Sequence, residues 1–272
     1  MKHDPERAAE FFDQFTEREW ARFDEDDPTT PSTSLDVHLE YLRRYVNAGD
    51  RVLDVGAGPG RFTIELGRLG ASIVVADISP GQLEFNREKL AEAGLEDAVE
   101  DRVVADVVDL PVEDASFDVT VCYGGPISYV VERGADAVAE LARVTRPGGL
   151  VLVSVMSLVG AVQTFADGVI EVAEMYGIDL TEQIITTGLL PEGPELGHLA
   201  MKLYRWRELR ELLEPHGEII AASATGLIRP TTQPEDPELR SLLTRMELEL
   251  SREPGALDCA PHILAVVRRP GA

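Results

Sequence analysis

The chain has 272 residues, 44% of them hydrophobic, enough to bury the core of one large domain or of a domain carrying an insertion. Its 49 acidic and 25 basic residues leave a formal net charge of −24, a surface that repels polyphosphate chains and argues against nucleic acid as a partner. No apolar run reaches the length of a membrane span, the N-terminus MKHDPERAAE has no signal core, and two cysteines make no disulfide framework, so the expectation is a cytoplasmic protein without a membrane partner.

In chain order, Phe11, Phe12, Phe15 and Trp20 share one stripe of a predicted helix over 5–23. It either packs on the main domain or closes over a ligand. The acidic, turn-rich stretch 24–34 (DEDDPTTPSTS) reads as a loop. Ser34 then caps a helix that carries Leu35, Leu39, Leu42 and Val46. Val52, Leu53 and Val55 form a strand of the type buried on both faces. The turn Gly56, Ala57, Gly58, Pro59, Gly60 feeds a helix over 61–69.

A second strand over 72–76 runs into Asp77, and Ser79-Pro80 starts a helix that reaches about residue 93. A third strand over 102–105 ends at Asp106. A fourth covers 117–122, with Cys122 as a small buried hydrophobe, and a helix covers 135–145. Pro147, Gly148 and Gly149 turn into a fifth strand over 150–155. This alternation predicts an α/β fold, a doubly wound parallel sheet with helices on both faces. The pattern breaks between 156 and 205, where a helix over 159–176 and a loop over 187–197 are expected. It resumes with a helix over 206–213, a strand over 218–222, an exposed amphipathic helix over 237–250 and a closing strand over 262–267.

The turn after the first strand carries the chemistry. Three glycines let the backbone bend sharply and approach a ligand, and the helix behind them leaves N-terminal amides free. A dinucleotide fingerprint would place a small residue at the sixth position, where Arg61 stands, and its third glycine would come one residue later. Asp54, two residues before Gly56, repels a pyrophosphate and attracts an ammonium or sulfonium group. Asp77 lies 21 residues after Gly56, close to the spacing at which an acid meets ribose hydroxyls. With Asp106, three consecutive strands bring three carboxylates to one sheet edge. No His or Cys spacing forms a zinc site.

The ordered segments VLDVGAGPG, VVADISPGQL, ADVVDLP, FDVTVCYGGPISYV and RPGGLVLVSV resemble the motif set of class I, Rossmann-like S-adenosylmethionine-dependent methyltransferases, of the small-molecule type, over about 49–155. The resemblance implies a seven-stranded, mostly parallel sheet whose last strand runs antiparallel. It implies an N-terminal helical lid (1–48), a core domain (49–272) and an acceptor-side insertion of helix and loop at about 157–205. S-adenosyl-L-methionine would be the cofactor. Gly56, Ala57, Gly58 and Gly60 would pass its methionine part, Asp54 would help hold the ammonium, and Asp77 would accept from the ribose.

By the same resemblance, Ile78 and Val107 would sandwich the adenine, Asp106 would face its amine, and the backbone at Tyr123 and Gly124 would lie beside the sulfonium. The implied reaction is in-line methyl transfer to an oxygen or nitrogen of a small molecule. Protein methylation and non-catalytic binding of S-adenosylmethionine are the alternatives. Because positioning supplies much of the rate, a general base is optional. Tyr129, in GGPISYV, and His198, in the insertion, are the foremost candidates for one, with Tyr123 and Tyr204 behind them. Packing roles stand against each.

Overall fold

The computed structural model describes residues 1–21, 32–193, 198–230 and 234–271. Two short helices open the chain, α1 (Pro5–Asp13) and α2 (Thr16–Ala21), where the sequence reads as one. The division has a reason at Asp13. Its carboxylate leaves the helix to accept from the Ser79 hydroxyl and from the Gly81 amide (2.9 Å), so the end of α1 ties down the start of a later helix. The predicted loop over 24–34 lies, up to residue 31, outside the described residues.

Helix α3 (Ser32–Tyr45) begins two residues before its predicted cap. The Ser34 hydroxyl instead pairs with that of Thr225, 3.1 Å away. There follow β1 (Arg51–Val55), α4 (Arg61–Arg68), β2 (Ser72–Asp77), α5 (Pro80–Glu92), β3 (Val99–Val104), β4 (Phe117–Cys122), α6 (Pro126–Tyr129), α7 (Gly134–Val144) and β5 (Thr145–Met156). Strand β3 starts three residues earlier than predicted. It is the sheet edge, and its exposed Glu100 and Asp101 hide the strand from a search for apolar runs. Strand β5 starts five residues early, because Thr145 pairs with Phe117 ahead of a register shift around the Pro-Gly-Gly turn.

The insertion is more helical than its sequence indicates. The predicted helix over 159–176 is broken at Phe165 into α8 (Leu158–Thr164) and α9 (Ala166–Tyr176), and α10 (Ile178–Thr187) occupies a stretch with no predicted element. Its run of Ile and Thr carries weak helical preference, and packing against α9 decides the conformation. The predicted loop over 187–197 contains β6 (Leu189–Leu190), which pairs antiparallel with β7 (Met201–Lys202); its residues 194–197 lie outside the described ones. Helix α11 (Trp206–Leu213), β8 (Glu218–Thr225), α12 (Pro237–Leu250) and β9 (His262–Arg268) complete the chain.

Seven strands make one sheet in the order β3-β2-β1-β4-β5-β9-β8, with β9 antiparallel to both neighbours and the other six parallel to one another. Val52, Leu53, Asp54 and Val55 of β1 are all buried, as a central strand covered on both faces requires. One face packs Leu53, Val74 and Val151 with Leu141 of α7 and Leu209 of α11. The other packs Val52, Ile73 and Val121 with Leu42 of α3 and Leu66 of α4. The chain reverses direction across the sheet between β1 and β4, and open α/β sheets hold ligands beyond the strand ends at such a point.

Candidate active site

A cavity opens at that switch point. Its floor is the turn after β1, its walls are the residues after β2, β3 and β4, and α1 and α2 lie across the top. Gly56, Ala57, Gly58, Asp77, Ile78, Asp106, Val107, Tyr123 and Gly124 all border it. Tyr129 borders it from α6. Asp54, Gly60 and His198 do not.

The glycine turn is shaped by protein contacts as much as by room for a ligand. A Cβ on Gly56, which has φ +64°, would lie 2.2 Å from Pro126 Cγ, so the glycine lets the loop after β4 close against the turn. Gly60 backs onto Asn86 and Leu90 of α5 rather than the cavity. Arg61, which breaks the dinucleotide pattern, borders the cavity and donates to the Trp20 carbonyl (2.5 Å), its guanidinium 4.1 Å from the centre of that indole.

Asp77 organises the floor. One carboxylate oxygen accepts from the Gly58 amide (2.8 Å) and the other from the Ser79 amide (2.9 Å), which locks the turn to the start of α5. Each oxygen keeps a further lone pair for a ligand hydroxyl. Burial pushes the Asp77 carboxyl up to about 6 against these hydrogen bonds. Asp54 lies beneath the turn and accepts from the Thr63 hydroxyl at 2.7 Å. Burial pushes it to about 7, and Asp77 adds to the rise. Among the described residues, neither aspartate pairs with a basic side chain.

Asp106 behaves differently. Burial raises its carboxyl, but the His3 ring at 2.6 Å and the Val108 amide at 3.2 Å outweigh that and hold it below the usual range. The contact with His3 comes from the N-terminal segment, which also supplies Ala8, Phe12 and Glu19 to the cavity. The Phe12 carbonyl accepts from Gln82 Nε2 (2.9 Å), and the Phe12 ring meets Tyr129 edge-on, 5.3 Å between centres.

The candidate bases fare unequally. Tyr123 packs between His38 (4.8 Å) and Phe62 (5.2 Å), and its hydroxyl is buried without a hydrogen-bond partner among the described residues. Burial drives that phenol well above its ordinary range, so it stays protonated. Tyr204 is buried and likewise raised, its hydroxyl against Gly134 and away from the cavity. His198 sits in the β6–β7 connection, bridged to Gly193, with Nδ1 3.0 Å from the Leu199 carbonyl. Only Tyr129 stands where an acceptor could meet it.

His3, Phe62, Gln82 and Pro126 are cavity residues that sequence reasoning did not single out. Phe62 carried a weak signal as an apolar side chain at the start of the helix behind the turn. His3 carried none, because it reaches Asp106 across 103 residues of chain.

A family profile described as a methyltransferase domain matches residues 52–149, the span from β1 to the turn within β5. The chain's core is similar to class I S-adenosylmethionine-dependent methyltransferase domains. Among curated relatives, a demethylmenaquinone methyltransferase of Clavibacter sepedonicus is 45% identical over 109 residues, covering 39% of this chain and 41% of its own. The methyltransferase GfsG of Streptomyces halstedii is 35% identical over 146 residues, covering 53% and 51%. The chain thus spans about half the length, or less, of these relatives.

Solved structures agree on the fold. A chain in the complex of the Haloferax volcanii Trm112 methyltransferase activator with a putative methyltransferase superposes with a TM-score of 0.60 at 19% identity, covering 97% of this chain and 98% of that one. An S-adenosylmethionine-dependent methyltransferase from Methanosarcina mazei gives 0.58 at 17%, covering 85% and 98%. No helix among the described residues is long and apolar enough to cross a membrane.

The cavity fits the cofactor of this methyltransferase class. Two buried carboxyls, raised to about 7 and about 6 and paired with no basic side chain among the described residues, favour a positive charge, which an ammonium or sulfonium supplies and a pyrophosphate does not. Asp77 at the end of β2 offers acceptors to vicinal hydroxyls, and Ile78 with Val107 offers apolar faces for a flat base.

Proposed function

We propose that this chain moves a methyl group from S-adenosylmethionine to a small, largely apolar molecule. The observation that carries the reading is the pair Asp54 and Asp77, buried under and beside a glycine turn at the switch point and, among the described residues, paired with no basic side chain. S-adenosylmethionine, when bound, supplies an electrophilic methyl group on a positively charged sulfur.

The chain's own residues bind, orient and exclude water. The Gly56–Gly58 backbone would face the methionine part and Asp77 the ribose. Asp54 acts from below the turn, through its charge, since its side chain does not reach the cavity. Ile78, Val107 and Asp106 would take the adenine, with His3 already on the Asp106 carboxylate. Ala8, Phe12, Pro126 and Tyr129 make the remaining wall apolar, and helices α1 and α2 cover it as a lid. Such a wall keeps water from the reacting centre and leaves acceleration to alignment. Tyr129 is the side chain placed to steady or deprotonate an acceptor hydroxyl.

A carbon acceptor joins the oxygen and nitrogen expected from sequence in this proposal. Relatives include a demethylmenaquinone methyltransferase and a ubiquinone/menaquinone biosynthesis C-methyltransferase of Azotobacter vinelandii, 37% identical over 121 residues, so an aromatic carbon belongs in the panel. Calorimetry with S-adenosylmethionine, S-adenosylhomocysteine and a nicotinamide dinucleotide tests the cofactor. Release of S-adenosylhomocysteine against reduced quinones, phenols and amines then tests the acceptor. Binding of the dinucleotide alone would overturn the proposal.

A further inference from the structure

A buried polar chain runs from α3 through β5 to the loop that borders the cavity after β4. The Gly124 amide donates to Ser154 Oγ at 3.0 Å, Ser154 Oγ lies 3.1 Å from His38 Nε2, and His38 Nδ1 lies 2.7 Å from the Ser34 carbonyl. Ser154 is fully buried and His38 only 2% exposed. Chemistry fixes the direction of the two end bonds, and a neutral ring fixes the one between them. A carbonyl can only accept, so Nδ1 carries the ring hydrogen, and the Nε2 of a neutral ring is then an acceptor. With the ring neutral, Ser154 donates its hydroxyl hydrogen to Nε2, and that leaves a lone pair of its oxygen for the Gly124 amide. Without a histidine acceptor the hydroxyl is free to rotate and lose that alignment.

The chain ends where the backbone most needs a pin. Gly124 and Gly125 have φ of +81° and +104°, and a Cβ on Gly124 would meet nothing within 4 Å. Two adjacent glycines at positive φ, the first beside open space and the second against Met156, leave the Tyr123–Gly124 peptide free to turn over unless something holds it. The His38 ring also packs edge-on against Tyr123, the residue before this peptide. His38 therefore grips the segment twice, by its ring contact with Tyr123 and by its nitrogen through Ser154.

We infer that Ser154 and His38 are positioning residues, which hold the Tyr123–Gly124 peptide in the orientation that receives the sulfonium end of the cofactor. Neither touches the ligand; both act through one backbone amide. The inference rests on the proposed cofactor, and two readouts separate its failure from the failure of that reading.

Amide hydrogen exchange at Gly124 reports the pin in the absence of ligand, and calorimetry with S-adenosylmethionine reports its consequence. Ser154→Ala and His38→Phe, which keeps the aromatic packing and removes the acceptor, are each expected to speed exchange at Gly124 by about tenfold, the weight of one hydrogen bond. Each should also weaken S-adenosylmethionine binding by about the same factor with the melting temperature little changed. His38→Gln can still present an oxygen to the Ser154 hydroxyl, and it should recover most of both effects. Unchanged exchange in folded Ser154→Ala and His38→Phe overturns the inference, and so does loss in His38→Gln equal to that in His38→Phe. Should Ser154→Ala not fold, the two His38 variants decide by themselves. Failure of the wild-type chain to bind S-adenosylmethionine refutes the proposed cofactor, and the exchange contrast still judges the pin.

Discussion

Replacing Asp77 by alanine separates two roles that one carboxylate combines. In the free protein it holds the Gly58 and Ser79 amides, and leaving those two donors unpaired costs about 1–3 kcal/mol each. Against this, a carboxyl raised to about 6 is a burden in its ionised form: the gap from its ordinary value near 4 corresponds to about 3 kcal/mol at neutral pH. The two largely offset each other, so Asp77→Ala should unfold within about 3 kcal/mol of wild type at pH 7.5. Binding has no such offset. Loss of charge-assisted bonds to two ribose hydroxyls, at about 1.5–3 kcal/mol each, should raise the Kd for S-adenosylmethionine by 10²–10³ or more.

The pH dependence gives a second handle on the same residue. The folded state holds the Asp77 proton more tightly than the unfolded chain does, so its unfavourable contribution is full above about pH 6 and absent below about pH 4. Wild type should therefore gain about 2 kcal/mol on the alanine variant as pH falls from 7 to 4, read from paired urea titrations. A Kd within threefold of wild type would refute the ribose role. A stability difference flat across that range would refute the burial argument.

Other perturbations follow from single contacts. Gly56→Ala places a methyl group 2.2 Å from Pro126 at a positive φ, and a loss of about 2–4 kcal/mol is expected in urea unfolding, with weaker cofactor binding; a variant as stable as wild type would mean the two loops are not pressed together. Asp54 and Asp77 are raised to about 7 and about 6, and a bound cation should lower both, so S-adenosylmethionine binding should release protons between pH 5.5 and 7.5 and tighten across that window. Calorimetry in buffers of different ionisation enthalpy measures this, and proton uptake would contradict it. His3→Ala removes the ring from Asp106 and should make 1–21 more protease-sensitive while global unfolding shifts by less than about 1 kcal/mol. Glu247, buried, accepts from the Gly226, Leu227 and Ile228 amides, and Glu247→Gln should cost about 1–3 kcal/mol by setting an amide group against one of those donors; equal stability would mean the segment is held otherwise.

What the sequence determined by itself was the part governed by local rules. Apolar runs ending in Asp77 or in the glycine turn announce buried parallel strands, and Ser79-Pro80 announces a helix start, because covalent geometry and neighbours a few residues apart dictate them. The borders of the cavity were legible for the same reason: successive strand ends must meet on one edge of a doubly wound sheet. Tertiary structure alone decided the rest. Strand β3 is polar because it lies at an edge, α10 is helical because α9 packs beside it, and His198 misses the cavity because the β6–β7 pair carries it elsewhere. His3 reaches Asp106, and His38 reaches Ser154, across more than 100 residues. No local pattern encodes such a meeting, because hydrogen bonds between distant residues exist only after the sheet has brought them together.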